Sequence, residues 1–339
     1  MPFTIIVTRD FDQMSAVAAG VVEDDLRARL AEQDEYVLGL ATGSSPTGLY
    51  KHLAKAFNSG RIEAGRVRSF NLDEYVGLPG ENAQQRALHP QSYSWFMVSQ
   101  LFGLLNPPLR ETSVPWGTLV DQDELVAALA ARPDWVEQRG TDRGVALSIS
   151  PDARGVLGTV RDEILAAYER KIAAAGGIDL QVVGVGGRGH VAFHESGIPF
   201  EGSRVMLVRL DDDTVANAVA DGHFARATDS PRYAISMGAE LVHEARSVLL
   251  LASGRRKTRP IEEAVLGPIT PDVPISYGQR YAAEGGVLTY VLDETAAAGL
   301  LARAEEVRAL GHELRDVRDE PCTRVADLPF HPGAGGQVC

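Results

Sequence analysis

The sequence predicts an α/β fold with an open, doubly wound, mostly parallel sheet and helices on both faces. Short apolar or β-branched runs alternate with segments of helical apolar spacing, which is the pattern of βαβ units. The runs YVLGL at 36–40 and LQVVGV at 180–185 have the continuous apolar character of buried strands. With 45% apolar residues in 339, the chain is able to bury a large core.

The elements follow in order along the chain. Residues 3–7 predict a strand, and Met14, Val17 and Val21 recur at helical spacing after Asp10, a residue type that caps helices. The further strands expected are 36–40, 67–72, 180–185, 205–210, 234–237, 248–252 and 287–292. The further helices expected are 47–59, 92–104, 160–174 and 294–310, the last continuing toward Leu314.

We expect one α/β domain over residues 1–310 and a C-terminal extension over 311–339, rich in Pro and Gly at its end. Residues 105–155 interrupt the alternation with prolines and scattered charges, and we interpret most of this stretch as an insertion. It is either a lid or interface arm, or a surface excursion without chemistry.

Composition excludes several classes of protein. The 46 acidic and 33 basic residues give a formal charge of −13, which disfavours binding to nucleic acid or anionic membranes. No apolar run approaches the ~18 residues of a membrane span, and the N-terminus lacks a secretory signal, so we expect a cytoplasmic protein. The only cysteines, Cys322 and Cys339, argue against a disulfide framework or a structural zinc site.

Four loops that follow predicted strands carry candidate functional residues, because open α/β sheets bind ligands outside the carboxyl ends of their strands. The first contains Thr42, Gly43, Ser44 and Ser45, whose N–H groups and following helix N-terminus suit a phosphate. The loop lacks the lysine of a Walker loop, so an ordinary capped turn is an equally consistent interpretation.

The second loop places two adjacent carboxylates, Asp73 and Glu74, at the end of a predicted strand. Successive strand residues point to opposite faces, so one carboxylate enters the cleft while the other packs elsewhere. A cleft carboxylate of raised pKa suits proton abstraction next to a carbonyl. A strand-ending acid in a turn is the alternative.

The third loop is GVGGRGH at 184–190, with His194 and Glu195 shortly after it. Three of its glycines match the G-x-G-x-x-G dinucleotide fingerprint, but residues 190–200 show no helical apolar stripe, so nicotinamide binding is disfavoured. A carboxylate such as Glu195 is able to orient the imidazole of His190 for proton transfer. A metal site is the weaker alternative, since the spacing is not H-E-x-x-H.

The fourth loop, SGRRK at 253–257, places a basic cluster after the strand VLLLA. Cations at a helix start oppose the helix dipole unless an anion binds there, which favours a binding function over a solvated helix start.

In this order, six blocks of the sequence resemble the glucosamine-6-phosphate deaminase family, whose sugar-phosphate isomerase-like fold is shared by 6-phosphogluconolactonases. The resemblance covers about residues 36–301, apart from the insertion. The blocks are LGLATGSSPTGLYKHL, FNLDEYVGL followed by HPQSYSWFM, GVGGRGHVAFHES, YAISMG, LLLASGRRK and GPITPDVPIS. The resemblance implies opening of an amino-sugar phosphate ring, proton transfer between C2 and C1, and release of ammonia. It also implies no metal or organic cofactor, and it raises the expectation of a homo-oligomer.

The resemblance assigns a role to each candidate. Asp73 corresponds to the proton-transferring aspartate, His190 to the ring-opening histidine and Glu195 to its carboxylate partner. Gly43, Ser44 and Ser45, with Thr42 beside them, correspond to the phosphate loop, and Lys257 corresponds to the phosphate-binding lysine.

Three positions depart from the family pattern. Arg188 stands where the family has an acid or amide, His194-Glu195-Ser196 replaces Asn-Glu-Pro, and Val219 replaces a phosphate-binding arginine. We expect the Arg188 cation to disfavour imidazolium at His190 and, with Glu74, to be a possible substrate contact. The alternatives are therefore a silent or substrate-shifted sugar-phosphate binder and, less favoured, a lactonase-like hydrolase or plain isomerase.

Overall fold

Thirteen strands and thirteen α-helices make up the described part of the computed structural model, residues 3–220 and 222–330. The strands are β1 Thr4–Thr8, β2 Tyr36–Leu40, β3 Val67–Asn71, β4 Asp73–Val76, β5 Glu111–Ser113, β6 Val136–Thr141, β7 Gly144–Ile149, β8 Leu180–Val183, β9 Val205–Arg209, β10 Tyr233–Met237, β11 Ser247–Ala252, β12 Val287–Asp293 and β13 Glu313–Asp316. The helices are α1 Phe11–Leu30, α2 Thr47–Asn58, α3 Ala83–Ala87, α4 Tyr93–Gln100, α5 Gln122–Ala131, α6 Gly155–Thr159, α7 Ala166–Ala174, α8 Asp212–Ala220, α9 Ala239–Val242, α10 Thr258–Leu266, α11 Tyr277–Ala283, α12 Ala298–Ala302 and α13 Ala304–Ala309.

The predicted parallel sheet is confirmed. Eight strands form it in the order β13-β1-β12-β11-β8-β2-β3-β5, and every neighbouring pair is parallel. The predicted cap of α1 is also present, because the Asp10 carboxylate accepts a hydrogen bond from the Gln13 N–H. The expected helix 160–174 is part of a longer helical run in which a π-helical stretch, Val160–Leu165, joins α6 to α7.

A second sheet, which the sequence analysis did not separate from the first, packs beside it. It is antiparallel, in the order β4-β10-β9-β7-β6, and it contains the predicted strands 205–210 and 234–237. Leu72 joins the two sheets: its N–H donates to Leu40 of β2, and its carbonyl accepts from Met237 of β10. Apolar strand runs look alike in either sheet, so their spacing does not identify the partner strand.

The stretch 105–155 forms regular structure. It contributes β5 to the edge of the parallel sheet and the hairpin of β6 and β7 to the second sheet, with α5 between them. Val145 and Leu147 of β7 pack in one apolar cluster with Leu125 of α5 and Ile164 of the π-helical stretch.

The expected continuation of the last helix toward Leu314 is wrong. The helical region is split into α12 and α13, and Gly311 takes a positive φ of 82° beyond it. A left-handed glycine ends a helix, and the chain then turns into β13, which pairs with β1. Most of the Pro/Gly-rich end, 331–339, lies outside the described residues.

Within 3–220 and 222–330, no helix has the length and apolar character needed to cross a lipid bilayer.

Candidate functional site

The four candidate loops meet at one edge of the parallel sheet. They follow β11, β8, β2 and β3, which are consecutive neighbours and, being parallel, end at the same side. The chain moves outward from β2 to β3 and β5, and in the opposite direction from β8 to β11 and β12. The edge between β2 and β8 is therefore the topological switch point, where doubly wound sheets bind ligands.

The loop after β2 is open at the N-terminus of α2. Gly43 has a φ of 91° and is exposed with Ser44, and Pro46, the residue before α2, provides no side-chain cap for the helix. The Tyr50 hydroxyl fixes the start of the loop by donating to the Ala41 carbonyl and accepting from the Ala41 N–H. The loop thus presents backbone N–H groups and hydroxyls at a positive helix end, which suits an anion.

Asp73 and Glu74 are adjacent in β4, so their side chains lie on opposite faces of the strand. The Glu74 carboxylate is fully buried and accepts hydrogen bonds from the N–H groups of Tyr93 and Ser94 and from the Ser92 hydroxyl, at 2.8 to 2.9 Å. It therefore holds the N-terminus of α4. Burial raises the pKa of Glu74, and these donors act in the opposite direction.

Asp73 has a different environment. It is 5% exposed, and its Oδ1 has no hydrogen-bond partner. Burial first, and then the neighbouring charge of Glu74, hold the pKa of the Asp73 carboxyl well above its usual range. A buried carboxylate with an uncommitted oxygen has the properties of a general base.

His190 and Glu195 form the predicted pair on the loop after β8. The His190 Nδ1 lies 3.4 Å from the Glu195 Oε2, and the other Glu195 oxygen is buried without a partner. The loop closes through the Gly186 N–H, which donates to the His190 carbonyl at 2.9 Å. Residues 184–200 form turns and no helix, so the structure around the glycines differs from a dinucleotide fingerprint.

The imidazole of His190 occupies space that only a glycine at 186 leaves open. A Cβ at Gly186 would lie 1.8 Å from the His190 Nε2, whereas one at Gly187 would meet nothing within 4 Å. Glu195 likewise packs against a glycine, Gly144 of β7: a Cβ added at Gly144 would lie 2.1 Å from the Cβ of Glu195. The hairpin of β6 and β7 thus packs directly against the candidate carboxylate.

A short connection links Asp73 to the His190 loop. Ser236 of β10 is the ladder partner of Asp73, and its hydroxyl accepts a hydrogen bond from the Phe193 N–H at 2.9 Å. Phe193 in turn contacts the ring of Tyr75, two residues after Asp73. The base candidate and the imidazole loop therefore lie on adjoining structural elements.

Lys257 reaches the same loop from the other side. It lies in a 3₁₀ turn after β11, and its Nζ donates to the Val185 carbonyl at 2.5 Å. Asp293 supports this turn by accepting from the Ser253 hydroxyl and the Gly254 N–H. The predicted cation is thus held next to β8, the strand beside β2.

The three departures from the family pattern have separate structural explanations. The Arg188 guanidinium forms ion pairs with Asp211 and Asp213. The His194 Nδ1 accepts from the Ala239 N–H, its Nε2 donates to the Ile198 carbonyl, and burial lowers its pKa to about 4. It is therefore a neutral structural residue.

At position 219, where the family has a phosphate-binding arginine, Val219 packs against the apolar cluster containing Phe193. Among the residues described, no three His, Cys, Asp or Glu side chains are grouped so that they could hold a metal ion.

Sequence reasoning missed several residues of the site. The ring of Tyr93 lies against that of Tyr75, with centroids 5.1 Å apart, and stacks on Phe193 at 5.9 Å. Tyr93 lies in the block HPQSYSWFM, which the sequence analysis recognised without assigning a role to this tyrosine. The contacts of Ser236 and Asp211 depend on the second sheet and had no local signal.

The arrangement combines an anion-binding loop, a lysine, a buried carboxylate and an imidazole–carboxylate pair. Such a set is able to hold a phosphorylated ligand and move protons on it.

Comparison with known proteins agrees with this chemistry. The chain is 35% identical over 300 residues to a glucosamine-6-phosphate deaminase of Rhodopirellula baltica, covering 88% of this chain and 97% of that protein. It is 33% identical over 279 residues to glucosamine-6-phosphate deaminase 2 of Bacillus subtilis, covering 82% and 91%. No protein-family model matches the sequence.

Solved structures share the fold. A monomeric glucosamine-6-phosphate deaminase has a TM-score of 0.63 at 23% identity, covering 87% of this chain and 99% of that one. The 6-phosphogluconolactonase of Leishmania guyanensis has a TM-score of 0.54 at 20% identity, covering 88% and 99%.

Proposed function

The chain belongs to the glucosamine-6-phosphate deaminase family, and from this premise we propose how its own residues carry out the family's reaction. The enzyme isomerises and deaminates a phosphorylated amino sugar, with glucosamine 6-phosphate as the proposed substrate. The products are fructose 6-phosphate and ammonia. The observation that carries the proposal is the meeting of the four candidate loops at the switch point between β2 and β8.

The phosphate binds at the loop of Thr42, Gly43, Ser44 and Ser45, with Lys257 as the counter-charge. Exposure of Gly43 and Ser44 and the uncapped start of α2 support this site. Oriented N–H groups together with one lysine are able to bind a phosphate dianion on a protein of net charge −13.

His190 opens the sugar ring by moving a proton between the ring oxygen and the C1 hydroxyl. Glu195, 3.4 Å from the Nδ1, fixes the imidazole and leaves the Nε2 for the substrate. Ring opening gives an aldehyde at C1 and leaves the amino group on C2.

Asp73 then transfers the proton between the two carbons. Its carboxylate takes the proton from C2 while a proton of the C2 ammonium moves to the C1 oxygen, which gives an enolamine. The carboxyl then returns its proton to C1, which gives an iminium at C2. Water adds to C2, and the carbon–nitrogen bond breaks to release ammonia and the ketose. The unpartnered Oδ1 of Asp73 supports this role, whereas the carboxylate of Glu74 is committed to the start of α4.

We also propose that the enzyme is cytoplasmic, because a sugar phosphate dianion does not cross a lipid bilayer unaided.

The proposed reaction is tested by incubating the purified protein with glucosamine 6-phosphate. We expect ammonia and fructose 6-phosphate in equal amounts, with no added metal or cofactor. Absence of ammonia with several amino-sugar phosphates, from protein that is folded, would refute the deaminase proposal. Thermal stabilisation by hexose phosphates without turnover would favour a silent binder, and hydrolysis of 6-phosphogluconolactone would favour a lactonase.

A further inference from the structure

Arg188 introduces a positive charge two residues before His190, but the fold neutralises it. Asp211 and Asp213 both contact the guanidinium, so the three groups carry a net charge of −1. The side chain of Asp211 is only 9% exposed, while those of Arg188 and Asp213 are 44% and 59% exposed. Asp211 is therefore the buried anchor of this ion cluster, which we call the Arg188 cluster.

The Arg188 cluster joins the His190 loop to α8. Asp211 immediately precedes this helix, its carbonyl accepts from the Val215 N–H, and its Oδ1 accepts from the Asp213 N–H at 3.3 Å. Val215 packs in the same apolar cluster as Phe193, which follows His190 on the loop. Ion pairs therefore hold the loop at Arg188, and apolar contacts hold it at Phe193.

The Arg188 cluster also interacts with Glu195, the carboxylate that lies beside the imidazole of His190. Burial raises the pKa of Asp211, Arg188 lowers it, and the charge of Glu195 raises it, so Asp211 and Glu195 interact electrostatically. His194 lies on the His190 loop itself, and Lys257 donates to the Val185 carbonyl at its start. Arg143 and Asp272 form an ion pair between the two segments whose Gly144 and Val273 pack against Glu195 and Gly189. Asp73, Glu74 and Tyr75 lie on β4, and the ring of Tyr75 contacts Phe193.

We propose that Arg188 is a positioning residue: with Asp211 and Asp213 it clamps the His190 loop to α8 while leaving a net negative charge beside His190. The role of the clamp in turnover rests on the proposed function, whereas the charge beside His190 is independent of it.

The test uses four variants whose charges differ in a known way. The cluster carries −1 in the natural chain, −2 in Arg188→Ala, 0 in Asp211→Asn and −1 in the double variant. We follow the titration of the His190 imidazole by NMR in histidine-labelled protein, with His190→Gln used to assign the signal. Arg188→Lys retains the positive charge but replaces the planar guanidinium, which contacts both carboxylates, with a single ammonium group.

We expect the imidazole signal to titrate at a higher pH in Arg188→Ala than in the natural protein and at a lower pH in Asp211→Asn, because the first variant removes a positive charge from the cluster and the second removes a negative one. The midpoint should be close to that of the natural protein both in the double variant and in Arg188→Lys, because the cluster carries −1 in each. The matched control is Arg232→Ala, which removes an ion pair to the exposed Asp212 on the same helix, and it should leave the midpoint unchanged.

Measurements of turnover distinguish the effect of the ion pairs on the position of the loop from the effect of the net charge of the cluster. We expect kcat to fall about tenfold in both single variants, to remain low in the double variant, and to recover partly in Arg188→Lys, with KM changed less than kcat. Midpoints that move in the same direction in both single variants, or kcat restored in the double variant, would overturn the inference. If the natural protein shows no turnover, the proposed function fails, and the NMR titration still decides the charge.

Discussion

Replacing Asp73 with Asn should lower kcat about 10³-fold while leaving the fold intact. The amide has nearly the same shape as the carboxylate but cannot accept the proton from C2, and removal of a positioned general base costs about 10²–10⁴-fold. Because Asp73 is buried with an unpartnered oxygen next to Glu74, loss of its charge should leave the melting temperature unchanged or higher. Steady-state ammonia release and thermal unfolding measure the two effects.

The neighbouring carboxylate is the matched control. Glu74→Gln exchanges a carboxylate that holds the N-terminus of α4 for an amide that accepts fewer of those hydrogen bonds, and we expect it to destabilise the protein by about 1–3 kcal/mol. If Asp73→Asn retains more than a tenth of kcat, or if Glu74→Gln alone abolishes turnover without destabilising the fold, Asp73 is not the base.

The pH profile gives the same assignment a second check. A base must be deprotonated, and the pKa of Asp73 is raised by burial and by Glu74. Activity should therefore fall, as the pH is lowered, well above the pH ~3.9 at which an ordinary aspartate titrates. An activity that persists to pH 4 would contradict this account.

Gly186→Ala should lower kcat about 10²-fold with little change in stability. The new Cβ would lie 1.8 Å from the His190 Nε2, and the imidazole is the part of the site that is able to rotate away. A displaced imidazole no longer reaches the ring oxygen, because proton transfer requires heavy atoms within hydrogen-bond distance.

Gly187→Ala is the control for this variant. It makes the same change at the adjacent position, where a Cβ meets nothing within 4 Å, and it should retain near-natural kcat. Equal kcat values for the two variants would show that the position of His190 does not limit the reaction.

The sequence was sufficient to place six of the eight strands of the parallel sheet and the loops after β2, β8 and β11; β5 and β13 were not predicted. Those strands are buried on both faces, so their continuous apolar runs stand out, and Gly43 and Gly186 mark the turns that follow. The choice between Asp73 and Glu74 came only from the family resemblance, since alternation along a strand does not tell which face is the cleft.

The second sheet and the Arg188 cluster were beyond sequence reasoning. β4 and β10 come from segments about 160 residues apart, and the spacing of apolar residues carries no information on which strands pair. Asp211 lies 23 residues after Arg188, so the expectation that Arg188 acts as an isolated cation could be corrected only by the contact itself. In the last helical region, Gly311 was the available signal, and a glycine near a helix end is a common terminator.

A crystal structure with the reduced, open-chain amino-hexitol 6-phosphate tests the central claim most directly, because this analogue carries the same groups but has no aldehyde to isomerise. We predict its phosphate within hydrogen-bond distance of Gly43, Ser44 and Lys257, with C2 beside the carboxylate of Asp73 and the C1 end near His190. A phosphate bound away from this loop, or a C2 that does not approach Asp73, would contradict the account.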